Sequence, residues 1–94
     1  MSMEEVLKQL TIYTFALRDA LECTNESKER PQITRHLAAT AEMYALLYMH
    51  KTTDAIDHIV KKESRGHGLS YLSGEGGKKV AAEWVKFTEA LGSK

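Results

Sequence analysis

Residues 31–65 read PQITRHLAATAEMYALLYMHKTTDAIDHIVKKESR, with one proline at the first position and no glycine. Pro31 suits the start of a helix, because its ring holds φ near the helical value and the N–H that it lacks would have no partner there. Apolar residues recur at helical spacing over 33–59. The stretch predicts one long central helix over about 31–63, roughly 45–50 Å in length.

A break at Thr52-Thr53-Asp54 is the alternative, because these side chains compete for backbone hydrogen bonds. The middle of the helix, AEMYALLYM at 41–49, is apolar on more than one side. One neighbouring helix cannot cover that much surface, whereas a second chain can. The stretch therefore predicts a homo-oligomer.

Helical patterns also occupy both flanks of this stretch. Ser2 and Glu5 have capping-box spacing, and an apolar stripe that includes Tyr13 follows, so a helix is expected over about 3–23. A last helix is expected over about 78–91, with Gly92 as its stop. The predicted architecture is all-α: a small helical bundle of three helices in a single domain, residues 1–94, assembled as a homo-oligomer.

Composition narrows the function. The net charge of zero argues against general DNA binding, which depends on neutralising phosphates. No apolar run approaches the roughly 20 residues of a membrane span, so no membrane partner is expected. A single cysteine, Cys23, cannot form an internal disulfide, and the N-terminus lacks a secretory pattern. We expect a cytoplasmic protein.

Residues 66–77 form a glycine-rich loop that ends in Lys78 and Lys79. Its glycines have neither the Walker A spacing nor the dinucleotide-binding register, so phosphoryl transfer is not expected. Two lysines at a helix start are mildly unfavourable, and a bound anion would relieve this. With Arg65 they predict a local basic surface. The alternative is a mobile connector with solvated lysines.

Histidine and aspartate side chains recur along one predicted helical face, at His50, Asp54, Asp57 and His58. This spacing suits a divalent ion, but the sequence offers no obvious further ligand, and a solvated face with paired charges explains it equally well. His36 and His67 are expected at the surface. No nucleophile or acid–base motif is present. We expect no metal, no cofactor and no enzymatic activity.

The stretch ESKERPQITRHLAATAEMYALLY, residues 26–48, carries three short motifs: Ser27-Lys28-Glu29-Arg30, Thr34-Arg35-His36-Leu37 and Met43-Tyr44. In this order they resemble the helical-hairpin segment of the phage anti-CBASS sponge proteins. The resemblance implies a helical homo-oligomer, hexameric in that family. It also implies a non-enzymatic protein that sequesters cyclic di- or trinucleotide second messengers and so blocks bacterial antiphage signalling, in the host cytoplasm if the chain is phage-encoded.

The same resemblance implies ligand pockets between protomers. In that family these pockets use an aromatic residue of the first helix and a lysine of the hairpin turn, positions that Tyr13 and Lys28 match here. Arg65, Lys78 and Lys79 are the expected second phosphate-binding group. Tyr13 as a core residue and Lys28 as an ordinary solvated lysine are the alternatives. The competing function is a protein–protein interaction module, such as an immunity protein, antitoxin or phage inhibitor, that uses residues 41–49.

Overall fold

The computed structural model describes residues 3–24, 28–67 and 74–92. Within these ranges every regular element is a helix, which confirms the all-α class. Four α-helices and one short 3₁₀ helix are present there: α1 Met3–Cys23, α2 Glu29–His50, the 3₁₀ helix Thr53–Ile56, α3 Asp57–His67 and α4 Gly74–Gly92. No helix in the described part of the chain is both long and apolar enough to cross a membrane.

The long central helix predicted over about 31–63 is wrong, because α2 ends at His50. Lys51 has left-handed angles, φ 56° and ψ 30°, and its N–H donates to the carbonyl of Leu47 at 2.9 Å. Thr52 is extended, and its hydroxyl accepts a hydrogen bond from the N–H of Asp54 at 3.4 Å. The break that threonine and aspartate favour therefore divides the stretch, and the bundle has four helices instead of three.

The start of α4 also differs from the prediction of a loop over 66–77 followed by a helix over about 78–91. The helix begins at Gly74 and includes Gly76 and Gly77. A Cβ atom at Gly76 would lie 3.6 Å from the backbone of Ala20, an ordinary van der Waals distance, so this turn of α4 packs against α1. That packing offsets the poor helix propensity of glycine. At its other end the predicted loop is also wrong, because Gly66 and His67 belong to α3. Residues 68–73 lie outside the described residues, as does Ser2.

The helix α1 runs antiparallel to both of its main neighbours. Along α4, Ala20 lies against Gly76 and Tyr13 against Trp84, whose ring centroids are 5.0 Å apart. Along α2, the Thr11 hydroxyl is hydrogen-bonded to the Tyr44 hydroxyl, nearer the opposite end of the hairpin. The chain then turns back through the 3₁₀ helix, and α3 packs antiparallel on α2. The core lies between the four helices.

Apolar side chains from all four α-helices and the 3₁₀ helix fill this core. The most deeply buried apolar members are Val6, Leu10, Tyr13, Leu17, Ile33, Met43, Leu47, Ile56, Val80 and Phe87. In α1 they follow the predicted stripe, and α1 itself occupies the range expected from the pattern. The stripe determines which face of α1 turns inward, because only one side of an amphipathic helix can leave water at a low free-energy cost.

Candidate functional site

Four predicted ligand-binding cations lie at one end of the bundle, which we call the basic end: Lys28, Arg65, Lys78 and Lys79. Antiparallel packing brings together the last turns of α1 and α3 and the first two turns of α2 and α4. Because α4 begins at Gly74, Lys78 and Lys79 lie in its second turn, and the expectation that they stand at the helix start is wrong. All four side chains are exposed. Residues separated by up to 51 positions in the chain (79 minus 28) are therefore grouped by the topology.

Acidic side chains also lie at the basic end, and three of them have partners. Glu22 pairs with Arg18 at 3.6 Å, and the Glu29 carboxylate accepts from the Thr24 hydroxyl at 2.6 Å. Glu75 pairs with Lys78 at 3.6 Å, in an exposed contact that is 94% and 79% accessible at the two side chains. Exposed ion pairs of this kind contribute little to the free energy of folding, so either charge can exchange its partner at a low free-energy cost. Lys78 therefore remains available to an incoming anion.

Arg30 joins the two helices of the α1–α2 hairpin at this end. Its guanidinium Nη1 donates to the carbonyl of Leu21 at 2.9 Å, which satisfies one of the free carbonyls at the C-terminal end of α1. Lys28 precedes α2 directly and its side chain makes no cap hydrogen bond. The local structure thus uses Arg30 to fix the hairpin and leaves Lys28 on the surface of the turn.

Tyr13, the fifth predicted ligand-binding residue, is not brought to the basic end. Its side chain is 1% exposed, and its ring packs against Trp84 and also against Phe87, with a centroid distance of 6.5 Å to the latter. It lies about 15 Å along α1 from Cys23, at about 1.5 Å per residue. In this conformation Tyr13 is a core residue, and its ring cannot stack on a ligand.

A second group of polar side chains lies in the core, and it takes one residue from each helix: Tyr13, His36, Glu63 and Trp84. We call it the central polar cluster. The His36 Nδ1 and a Glu63 carboxylate oxygen form a buried hydrogen bond between α2 and α3. The expectation that His36 is a surface residue is wrong, since it is 1% exposed. The reason is its position between Ile33 and Thr40 on the buried face of α2.

Burial raises the pKa of the Tyr13 phenol, and the nearby negative charge of Glu63 raises it further. Both causes favour the neutral phenol over the phenolate. The hydroxyl therefore stays protonated over the whole physiological range. A histidine, a carboxylate and a tyrosine are the elements of acid–base catalysis, but all three are buried here, with Tyr13 and His36 only 1% exposed and Glu63 8% exposed. In this conformation the cluster joins the four helices.

Sequence reasoning missed Glu63, although a signal was present. Ile56, Ile59 and Glu63 follow one another at steps of three and four, which places the carboxylate on the apolar stripe of α3. All three are buried. An acidic residue on an apolar stripe requires a partner of opposite charge or a hydrogen-bond donor, and His36 on the buried stripe of α2 is that partner.

The four residues considered for a metal site do not share one helical face, because the chain breaks after α2. His50 ends α2, Asp54 lies in the 3₁₀ helix, and Asp57 and His58 begin α3. Across residues 3–24, 28–67 and 74–92, no group of three or more histidine, cysteine, aspartate or glutamate side chains is arranged to hold a metal ion. The side chain of His67 lies outside the described part.

Large apolar side chains remain exposed along the outer side of α1 and α2. Phe15, Tyr48 and Met49 are 53%, 62% and 71% exposed. The rings of Tyr44 and Tyr48 stack with centroids 6.5 Å apart, and the hydroxyl of Tyr44 is held by Thr11 of α1. We use the name hairpin face for one surface of α1 and α2. It is formed by Phe15, Tyr44, Tyr48 and the exposed alanines of α2, which are Ala38, Ala41 and Ala45.

These features define a small all-α bundle protein with a buried polar cluster, one end that carries exposed cations and one exposed apolar face. No family model, no curated protein and no solved structure matches this chain.

Proposed function

We propose that this protein is a non-enzymatic binding protein that sequesters cyclic di- or trinucleotide second messengers at its basic end, and that it thereby blocks bacterial antiphage signalling in the cytoplasm. One observation carries the proposal. The antiparallel topology groups Lys28, Arg65, Lys78 and Lys79, which come from three separate parts of the sequence, at one end of the bundle.

Charge and exposure support an anionic ligand. A cyclic dinucleotide carries two phosphates within one small ring, and a cyclic trinucleotide carries three, so a binding surface needs several cations close together. Because the chain as a whole is neutral, electrostatic attraction of an anion is limited to the local field of the basic end. A long nucleic acid would therefore bind weakly, whereas a compact multivalent anion needs only a small positively charged area.

The resemblance to the anti-CBASS sponge proteins supplies the ligand class. It also supplies a reason to couple binding with assembly, because pockets between protomers bring the cations of two chains to one ligand. In the conformation described, Tyr13 contributes to the core and does not belong to the proposed site. The site therefore consists of Lys28, Arg65, Lys78 and Lys79, and the proposed assembly is a homo-oligomer, with a hexamer as the form that the resemblance suggests.

The test is the thermal stability of the purified protein in the presence of cyclic dinucleotides, cyclic trinucleotides, linear nucleotides and inorganic phosphate. A ligand that binds the native state only, at 100 times its Kd, adds about 2.7 kcal/mol of stability. We expect this gain with one of the cyclic compounds and not with phosphate alone. A flat response to every cyclic compound would remove the proposal.

Two charge-reversal variants locate the site. Lys28→Glu should abolish the stabilisation by the cyclic compound, because it replaces an exposed cation of the basic end with an anion. Lys8→Glu is the matched control, since Lys8 is also exposed but lies in the first half of α1, towards the opposite end. If both variants keep the response, the basic end is not the ligand site.

A second candidate function is a protein–protein interaction module with no small-molecule ligand. The observation that favours it is the exposure of Phe15, Tyr48 and Met49, because large apolar side chains grouped on one surface mark interaction sites. This candidate predicts that nucleotides never stabilise the protein. It also predicts that Tyr48→Ser changes its association with other chains and that Lys28→Glu does not.

A further inference from the structure

The solvent side of α2 carries an uncharged stripe at heptad spacing. Five residues follow one another at steps of four, three, four and three, and all of them are exposed in the single chain: Thr34, Ala38, Ala41, Ala45 and Tyr48. Steps of this kind keep one line of side chains facing the same way over four turns. Charged residues make up 28% of the chain, yet none lies on this stripe.

Exposed aromatic rings accompany the stripe on the side that faces α1. Tyr44 is half-buried, stacks on Tyr48 and is hydrogen-bonded to Thr11. Phe15 lies one turn beyond Thr11 on the same side of α1 and is 53% exposed. A stable interface between two chains buries about 1,200–2,000 Å² in total, which is more than one helical stripe provides. The neighbouring ring of Phe15 widens the surface.

We infer that the hairpin face is a homodimer contact in which the α2 helices of two copies of this chain pair antiparallel. This inference goes beyond the proposed function and does not depend on the nucleotide. Antiparallel pairing centred on Ala41 and Ala45 places the two basic ends at opposite ends of the dimer, so a ligand shared by two basic ends requires a further contact of the proposed hexamer. The side-chain sizes along the stripe favour a second copy of α2 as the partner and antiparallel as the relative direction of the two helices. When Ala41 is placed opposite the partner's Ala45, the large ring of Tyr48 falls opposite the partner's Ala38.

The same stripe does not match itself in the parallel direction. Parallel pairing places Tyr48 opposite the partner's Tyr48 and each alanine opposite its own copy. Two bulky rings then meet at one end, and a gap remains along the small residues. Antiparallel pairing alternates large with small at both ends of the contact, which is the condition for close packing between helices. A second copy supplies this complementary sequence by symmetry.

The first measurement is the molar mass of the full chain by light scattering over a range of protein concentrations. A single chain has a mass of 10.6 kDa. We expect the wild type to have at least twice this mass and Ala41→Glu to have the mass of one chain, because a carboxylate would be buried in the centre of the contact. The control is Ala81→Glu, an exposed alanine of α4 outside the hairpin face, which should keep the wild-type mass. Circular dichroism verifies that each variant is folded.

A charge swap then tests the direction of pairing. In the double variant Ala41→Glu with Ala45→Lys, antiparallel chains place opposite charges against each other, and parallel chains place like charges against each other. We expect the double variant to regain the mass of the dimer. A wild type that is monomeric at every concentration, or Ala41→Glu with unchanged mass, overturns the inference. A double variant that stays monomeric overturns the antiparallel direction.

The molar mass and the nucleotide response of the wild type, measured separately, distinguish the two proposals. If the wild type is monomeric but a cyclic nucleotide stabilises it, the interface is wrong and the basic end survives as a ligand site. If the wild type dimerises as described but no cyclic nucleotide stabilises it, the ligand proposal fails and the interface stands.

Discussion

The hydrogen-bonded pair of His36 and Glu63 links α2 to α3 in the middle of the core, where the side chains are 1% and 9% exposed. Glu63→Ala would remove the carboxylate and leave the imidazole in a site that water cannot reach. Removal of one partner from a buried pair costs about 3–5 kcal/mol. A domain of this size has a free energy of unfolding of about 5–14 kcal/mol, at about 0.05–0.15 kcal/mol per residue, so the variant should lose about a fifth of its stability or more.

The assay is urea denaturation followed by circular dichroism. With a slope of about 1–3 kcal/mol per molar urea, the transition midpoint of Glu63→Ala should fall by roughly 2 M. His36→Leu should cost a similar amount, because it leaves a carboxylate in the core. The double variant His36→Leu with Glu63→Met should recover most of the loss, since it replaces both polar groups with apolar groups of similar size.

The exposed pair Arg18–Glu22 provides the control. Its atoms are 3.6 Å apart, as in many ion pairs, but its side chains are 63% and 65% exposed. Glu22→Ala should therefore cost about 0.3–0.5 kcal/mol. The reasoning is refuted if Glu63→Ala costs no more than Glu22→Ala, or if the double variant loses the sum of the two single losses, because either result would mean that the buried pair is not coupled.

Three further changes test single features of the fold. Lys51→Gly should stabilise the protein by about 0.5–1 kcal/mol in thermal denaturation, because Lys51 has a φ of 56°, which glycine adopts without strain; a loss of stability would contradict the left-handed cap. Gly76→Ala should also stabilise by about 0.5–1 kcal/mol, since a Cβ there meets Ala20 at an ordinary 3.6 Å and alanine favours a helix; a lower melting temperature would mean that the helices pack more tightly than described. Tyr13→Phe should weaken the loss of stability at high pH. The folded protein holds the phenol proton that the unfolded chain releases above its ordinary pKa of 10.0, so wild-type stability should fall above pH 10.0 by up to about 1.4 kcal/mol per pH unit. The measurement is the urea midpoint of both proteins from about pH 9 to pH 12. If the midpoint falls equally with pH in the wild type and in Tyr13→Phe, the prediction is contradicted.

Much of the secondary structure follows from local pattern. The stripe from Val6 to Leu21 predicts α1, and α1 occupies Met3–Cys23. The apolar spacing favours a continuous helix over a break after His50, because it continues through the break to Ile59. The spacing shows only which residues are apolar. It does not show that Lys51 adopts left-handed backbone angles, which let α3 fold back on α2.

Positions whose role depends on another helix are predicted least well. The sequence predicts His36 at the surface, yet it is buried and hydrogen-bonded to Glu63. Gly76 is predicted in a loop because glycine disfavours helices, yet it is helical and contacts α1 at Ala20. Local spacing places His36 and Glu63 on buried faces, but only the packing of α2 on α3 shows that they are partners.

The amino-acid sequence by itself determined that the regular elements of the described residues are helices and which face of α1 is buried, because periodicity and propensity act between residues only a few positions apart. Only the tertiary structure decided that Tyr13 packs against Trp84 and Phe87 and that Lys28, Arg65, Lys78 and Lys79 share one end of the bundle. The physical reason is that these placements follow from antiparallel packing, in which each helix is positioned by apolar and polar contacts with helices distant in sequence.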